Sequence, residues 1–320
     1  MRKAGKIWLL IAAGLVVVGA LLFAGVMFRY NWDFTKLSTA KFDTNTYEVK
    51  ETFNKIRIDV DTTEIEFVLS DDEECRINCV ELEKVKHSAA VRNGTLVINV
   101  IDTRKWYDHI GIFLGSPKMT VYLPEETYTS LSIDTDTGDI RIPETFTFEK
   151  LEIDGDTSDV DCLACVSKDI DISLSTGHIK MDNISVGGMD LSTSTGSIQL
   201  TEVKSEGNIE IETDTGSVKL TDVTCTDLSA EGDTGTITLK NVVAAGKFLL
   251  ENHTGDVRFE NSDASQISVK TSTGDVTGSL STDKVFITET STGRINVPKT
   301  TTGGTCEIKT STGDVEIIIK

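Results

Sequence analysis

The sequence predicts an all-β fold: a parallel β-solenoid of about ten coils of 19–20 residues, behind a single N-terminal transmembrane helix and a β-rich starting or capping segment. Three observations carry this expectation. The N-terminus holds a long uncharged run, a Thr-Gly motif (once Thr-Ser) returns ten times at near-constant spacing, and apolar columns alternate on both sides of that motif.

The uncharged run is IWLLIAAGLVVVGALLFAGVMF, the 22 residues from Ile7 to Phe28. At about 1.5 Å per residue it reaches about 33 Å, enough to cross a hydrocarbon core of roughly 30 Å. A cleaved signal peptide has a shorter apolar core followed by a small-residue cleavage site, which this segment lacks. Arg2, Lys3 and Lys6 precede the run and only Arg29 follows closely, so the positive-inside rule places residues 1–6 in the cytoplasm and the remainder outside the cell membrane. Residues 29–50 then read as a linker, 51–130 as a β-rich cap or first coils, and 131–320 as the solenoid.

The motif is anchored at Gly138, Ser158, Gly177, Gly196, Gly216, Gly235, Gly255, Gly274, Gly293 and Gly313, at intervals that are always 19 or 20 residues. Seven residues before each anchor stand Leu131, Leu151, Ile170, Met189, Ile209, Leu228, Phe248, Ile267, Phe286 and Cys306. Two residues after it stand Ile140, Val160, Ile179, Ile198, Val218, Ile237, Val257, Val276, Ile295 and Val315. Period-2 alternation on both sides of a turn means two short strands per repeat. Nineteen residues leave no room for a helical crossover, so each repeat buries its apolar face by stacking on the next. At about 4.8 Å per coil, ten coils make a rod on the order of 45–50 Å long. The anchor glycine suits a corner needing positive φ, and the threonine before it is expected to satisfy corner backbone or a neighbouring hydroxyl.

Ahead of the solenoid, Ile56–Phe67 (IRIDVDTTEIEF) already matches the repeat, with Thr62 in the threonine column. Asn93-Gly94 between alternating runs signals a hairpin. The longest interruption, TRKWYDHIGIFLGSP, gathers Trp106, Tyr107, Ile112, Phe113 and Leu114. This cluster is either a cap folded back on the rod or an exposed contact for a membrane or partner.

Composition narrows function. With 51 acidic against 31 basic residues the formal charge is −20, which repels rather than neutralises a nucleic-acid backbone. Asp-Thr-Gly occurs at Asp136, Asp214 and Asp233, but an aspartic protease needs two such carboxylates about 3 Å apart, and translation along a rod separates them. Cys162 and Cys165 form a CxxC pair, yet their register with the apolar columns of neighbouring repeats makes them, like Cys306, buried thiols. Cys75 and Cys79, about 13 Å apart on an extended strand, are poorly placed for a disulfide. Asp136, Asp139, Asp156 and Asp159 stack on successive coils and are a weak candidate for a bridging hard cation. A solvated acidic edge is the better account of them, since the GGxGxD nonapeptide of calcium rolls is absent. His178 and His253 lie four coils apart and cannot share a metal. No catalytic residue and no cofactor motif emerge.

The VYLP at Val121–Pro124 and the downstream SIDTDTGDIRI resemble the domain-of-unknown-function 4097 family, over roughly residues 50–320. The resemblance implies a β-repeat ectodomain in a bacterial envelope; it brings an adhesin label but no catalytic residues. The expectation is a non-enzymatic, membrane-anchored extracellular solenoid presenting a binding surface to an envelope polymer or another membrane protein. The alternatives are an envelope-stress sensor or regulatory subunit acting through a membrane partner, and a carbohydrate-active β-helix enzyme. The last would need long loops between coils, for which the constant spacing leaves no room.

Overall fold

The computed structural model describes residues 3–34, 38, 40–109 and 115–320. Helix α1 (Lys3–Arg29) contains the uncharged run, and Ile7–Arg29 is long and apolar enough to cross a membrane. Its leucines and valines are exposed on every side, an arrangement that suits lipid rather than water.

Strands β1 (Phe42–Val49), β2 (Lys55–Thr62), β3 (Glu64–Leu69), β4 (Cys75–Leu82), β5 (Val85–Arg92), β6 (Thr95–Asp102) and β7 (Lys118–Leu123) lead into the solenoid, which continues with β8 (Thr127–Thr137) and β9 (Ile140–Ile142). Each coil places a long strand before the Thr-Gly corner and a short one after it. Parallel ladders join equivalent strands with threonine opposite threonine, as in Thr137, Thr157, Thr176, Thr195 and Thr215. The expected columns point inward: Leu131, Leu151, Ile170 and Leu228, with Ile140, Val160 and Ile198, are at most 1% exposed. One continuous hydrophobic core runs from Val49 through Ile317.

The corner glycines do two jobs. Gly138, Gly177, Gly235 and Gly255 adopt φ of 141°, 144°, 149° and 140°, and a Cβ on Gly235 or Gly255 would lie 1.7 Å from the glycine carbonyl of the preceding coil. A second corner, unforeseen from sequence, lies six residues after the anchor. There Asn183, Glu202, Asp222, Asn241 and Asn261 take φ between 51° and 55°, a left-handed conformation that asparagine and aspartate tolerate best among residues with side chains.

That second corner corrects the placement of Cys165. The coil anchored at Ser158 has no left-handed residue, so the chain turns inward one position early. Ala164 fills the core position that Ile184, Val203, Val223 and Val242 hold in later coils, and Cys165 is exposed. Cys162 and Cys306 are buried as expected. The threonine column also differs from expectation. Thr137, Thr157, Thr176 and their equivalents are exposed. The hydroxyls that satisfy corner backbone sit two residues earlier, where Thr193, Thr213 and Thr310 donate to the carbonyls of Gly177, Gly196 and Gly274 at 3.1–3.2 Å. The alternation points these inward and the invariant threonines outward.

At both ends the stacking departs from chain order. β2 lies between β8 and β6, and β3 between β9 and β7, so the first coil in sequence is an inner one. Thr62 pairs with Thr137 and Ile56 with Leu131. At the other end, strand Gly304–Thr312 lies between Val257–Thr273 and Lys284–Thr292, and Val315–Ile319 lies between Val276–Leu280 and Ile295–Asn296. The last coil in sequence is therefore wedged inside, and the coil anchored at Gly293 is outermost. Lys284, 2% exposed, reaches past the intervening coil at Gly304 to the buried Asp263 carboxylate at 2.5 Å.

The N-terminal end of the rod is closed by antiparallel strands. β4 pairs with both β7 and β1, and β5 with β6. The β5–β6 turn is Asn93-Gly94, with φ of 51° and 75°, the two positive-φ residues of a type I′ hairpin.

Candidate functional site

Three places carry chemistry beyond the repeating core: the acidic corner, the cap, and the outermost coil. At the corner, the residue after the anchor forms a ladder in which each side chain accepts the backbone N–H of the next coil. The Asp159 carboxylate accepts from His178 N at 2.8 Å, the His178 imidazole from Ser197 N at 2.9 Å, Asp256 from Asp275 N at 3.0 Å, and Asp275 from Asp314 N at 2.8 Å. Asp314 in turn accepts from Arg294 N at 2.8 Å and pairs with its guanidinium at 2.7 Å, which holds the carboxyl below the usual range. The series passes from Asp275 to Asp314 to Arg294, following the wedged order of the last coils.

Of the four aspartates proposed from sequence, Asp159 belongs to this ladder, Asp139 shares its column position, and Asp136 and Asp156 stand in the exposed column on the other side of Thr-Gly. Asp156 accepts a hydroxyl from Ser175 at 3.3 Å, and the Arg141 guanidinium lies 3.7 Å from Asp139. On the outer face of the long strands, burial and the neighbouring Asp190 and Glu152 raise the Asp171 carboxyl above its ordinary value.

In the cap, Trp106 and Tyr107 stand on a short 3-10 turn (Trp106–His109), 78% and 48% exposed, with ring centroids 5.8 Å apart. Lys105 lies over the Tyr107 ring at 5.9 Å, and Lys84 pairs with Asp108 at 2.5 Å. The other members of the sequence cluster, Ile112, Phe113 and Leu114, fall outside the described residues.

Beneath this turn lies a buried polar cluster that sequence reading missed. Glu81 is fully buried and its carboxylate accepts four hydrogen bonds: from Asn45 Nδ2 at 2.6 Å, Tyr47 OH at 2.9 Å, His87 N at 2.7 Å and His87 Nδ1 at 2.7 Å. Burial works to raise its pKa, and these donors outweigh that and hold it below the usual carboxylate range. His87 Nε2 faces the Thr63 hydroxyl at 3.3 Å, and the buried Cys79 thiol is pushed up to about 12 by desolvation and by Glu81. The available signal was a charge in the apolar register: Cys75, Ile77, Cys79 and Glu81 all point inward from β4.

The outermost coil is open. Ile295 occupies a core column whose other members are buried, yet it is 45% exposed, and Phe286 is only partly buried. Among the described residues, strands Lys284–Thr292 and Ile295–Asn296 pair on one side only.

A family model described as Toastrack DUF4097 matches residues 53–213 and 204–320. Among solved structures, the chain is similar to one titled "putative adhesin" from Parabacteroides distasonis, with 12% identity, 88% of this chain and 98% of that one covered, and a TM-score of 0.46. Another from the same organism, titled "Putative lipid binding protein", shares 14% identity over 86% and 97% of the two chains with a TM-score of 0.44. A third, a "putative adhesin" from Bacteroides fragilis, shares 16% identity over 87% and 97% with a TM-score of 0.40. Among curated proteins nothing matches the chain.

Proposed function

The chain belongs to the Toastrack DUF4097 family, and from that premise we propose that it is a non-enzymatic cell-envelope protein, a membrane-anchored rod that displays an adhesive surface outside the cell. The observation that carries this reading is the open outermost coil. It combines a strand edge paired on one side only, Lys284–Thr292, with the core-column residues Ile295, left exposed, and Phe286, only partly buried, at the end of the rod away from the N-terminal helix. A strand edge supplies directional hydrogen bonds and exposed apolar side chains supply contact area, the two ingredients of strand-addition recognition. The uniform coil length supports the non-enzymatic part, because it leaves the corners short.

A second reading, a regulatory subunit acting on a membrane partner, is favoured by one observation: the exposed Trp106–Tyr107 pair beside Lys84 and Lys105, on the cap nearest α1. Aromatic rings flanked by cations suit a membrane–water interface. Photo-crosslinking on intact cells separates the two, with the full-length protein carrying a photoreactive residue in place of either Ile295 or Trp106. The adhesive reading expects the Ile295 position to capture wall polymer or foreign surface material. Crosslinks from the Trp106 position alone, to one or two membrane proteins, would replace it with the regulatory reading. Capture of only cytoplasmic proteins would overturn the topology.

A further inference from the structure

Cys79, Glu81 and His87 bring one sulfur, one carboxylate oxygen and one imidazole nitrogen within 4.8 Å of one another, and all three residues are buried. Local structure fixes this convergence. Cys79 and Glu81 stand two apart on β4 and so share its inner face, while the turn after Leu82 returns the chain so that His87 on β5 faces Glu81. We propose that these three side chains form a binding site for a zinc ion that staples the cap strands β4 and β5 together.

The donor set favours zinc. A thiolate and an imidazole select borderline-soft ions over calcium or magnesium, and zinc accepts mixed sulfur, nitrogen and oxygen ligands in a compact tetrahedral shell. Charge balances as well, since one thiolate and one carboxylate neutralise a divalent ion in a region where unpaired charge is expensive.

The surrounding groups match what metal ligands need. A metal-bound imidazole usually donates its other ring N–H to an oxygen acceptor, and a ligating carboxylate is itself held by hydrogen bonds. Here His87 Nε2 faces the Thr63 hydroxyl at 3.3 Å, while Asn45 and Tyr47 hold Glu81 Oε1 at 2.6 and 2.9 Å and the His87 backbone N–H holds Oε2 at 2.7 Å, its other side toward His87 Nδ1. An adjacent cavity of about 70 Å³, lined in part by Thr63, Glu81, His87 and Arg104, has room for a water as fourth ligand. The hydrogen bond between His87 Nδ1 and Glu81 Oε2, 2.7 Å long, marks the place a proton occupies in the metal-free state. Binding releases the Cys79 thiol proton to solvent, moves the imidazole proton from Nδ1 to Nε2 where it donates to Thr63, and forms Zn–S, Zn–N and Zn–O bonds with no change of oxidation state.

The test uses the full-length protein in detergent, stripped with a chelator and titrated with Co²⁺ as a spectroscopic probe and with Zn²⁺ in competition. The expected result is saturable binding with a thiolate-to-cobalt charge-transfer band in the near ultraviolet, bleached by zinc. Cys79→Ser abolishes that band and Cys75→Ser, on the same strand, keeps it. Thr63→Val, which removes only the hydroxyl behind His87, weakens zinc binding by about 10–100-fold. Near-ultraviolet circular dichroism verifies that each variant is folded. The proposal is overturned by the absence of a charge-transfer band in the wild type, by a band that survives Cys79→Ser, or by equal zinc affinity in the wild type and in folded Thr63→Val.

Discussion

Replacing Gly235 by alanine puts a methyl group where a neighbouring coil already has a carbonyl oxygen. The new Cβ would lie 1.7 Å from Gly216 O, on a backbone with φ of 149°. Real Cβ contacts essentially never fall under 3.0 Å, so the coils must part by 1.3 Å, the difference between 3.0 and 1.7 Å. No rotamer change relieves this, because both atoms belong to the backbone. The opening falls on the bonds across that seam, Gly216 N–H to Thr234 O at 2.9 Å and Val218 N–H to Thr236 O at 3.0 Å. Backbone strain of this kind contributes about 1–3 kcal/mol, and each buried polar group left unpaired about 1–3 kcal/mol. Strain plus one or two lost bonds gives a loss of about 2–9 kcal/mol, a large part of the roughly 5–15 kcal/mol that holds a domain folded. The assay is urea unfolding followed by circular dichroism, with Gly246→Ala as the control. A Cβ at Gly246 meets the Asp227 carboxylate at 2.1 Å, the far end of a side chain that can swing away at the cost of the bond it accepts from Lys247 N–H at 2.9 Å, so its expected loss is about 0.5–1.5 kcal/mol. A Gly235→Ala protein as stable as the control would refute the glycine-ladder account.

Four further outcomes are expected. Lys284→Ala leaves the buried Asp263 carboxylate without its ammonium partner and destabilises the protein by about 3–5 kcal/mol in denaturant melts. Asp275→Ala removes the acceptor for Asp314 N–H and lowers stability by about 0.5–1.5 kcal/mol, whereas Asp275→Asn, which keeps an oxygen there, restores most of it. The Asp72 carboxyl, held down to about 2 by Ser70 and Arg76, contributes stability that is complete above its unfolded value of about 3.9 and fades as pH falls toward 2. Asp72→Asn should therefore flatten the thermal midpoint over that interval, while Asp171→Asn, at a carboxyl raised by burial and by its neighbours Asp190 and Glu152, should raise the midpoint at neutral pH. Finally, a maleimide applied to the native protein should label Cys165 and spare the five buried cysteines; rapid labelling of Cys162 would contradict the early inward turn at Ala164.

Most of the coil was legible because a solenoid writes its geometry as a period. The columns of Leu131 and Ile140 followed from alternation alone, and the corner from ten recurrences of one motif. What escaped was any feature that the period does not distinguish. The second corner is held by Asn183, Glu202, Asp222, Asn241 and Asn261, a column of mixed identity in which Glu202 obscures the positive-φ tolerance that the asparagines and Asp222 share. Missing it displaced Cys165 by one residue. The out-of-order ends were invisible because every repeat offers a similar apolar face to every other. Only long-range features such as the Lys284–Asp263 pair choose the order. The Glu81–His87 cluster was hidden because its charged members sit among apolar neighbours in strands that otherwise read as ordinary core.

The wedged terminal coil also bears on how the molecule is made. A chain that emerges from its N-terminus forward releases Lys284–Asn296 before its ladder partners, Gly304–Thr312 and Val315–Ile319. The rod cannot then grow as a simple zipper from one end to the other, because its outermost layer waits for a layer that is synthesised later. Until Gly304–Thr312 and Val315–Ile319 arrive, the edge at Val257–Leu280 stays bare and open to the wrong strand, the condition under which β-rich chains aggregate. The order of the rod thus requires an insertion step, which makes the arrival of residues 304–319, rather than the number of coils already stacked, the event that commits these coils to their order.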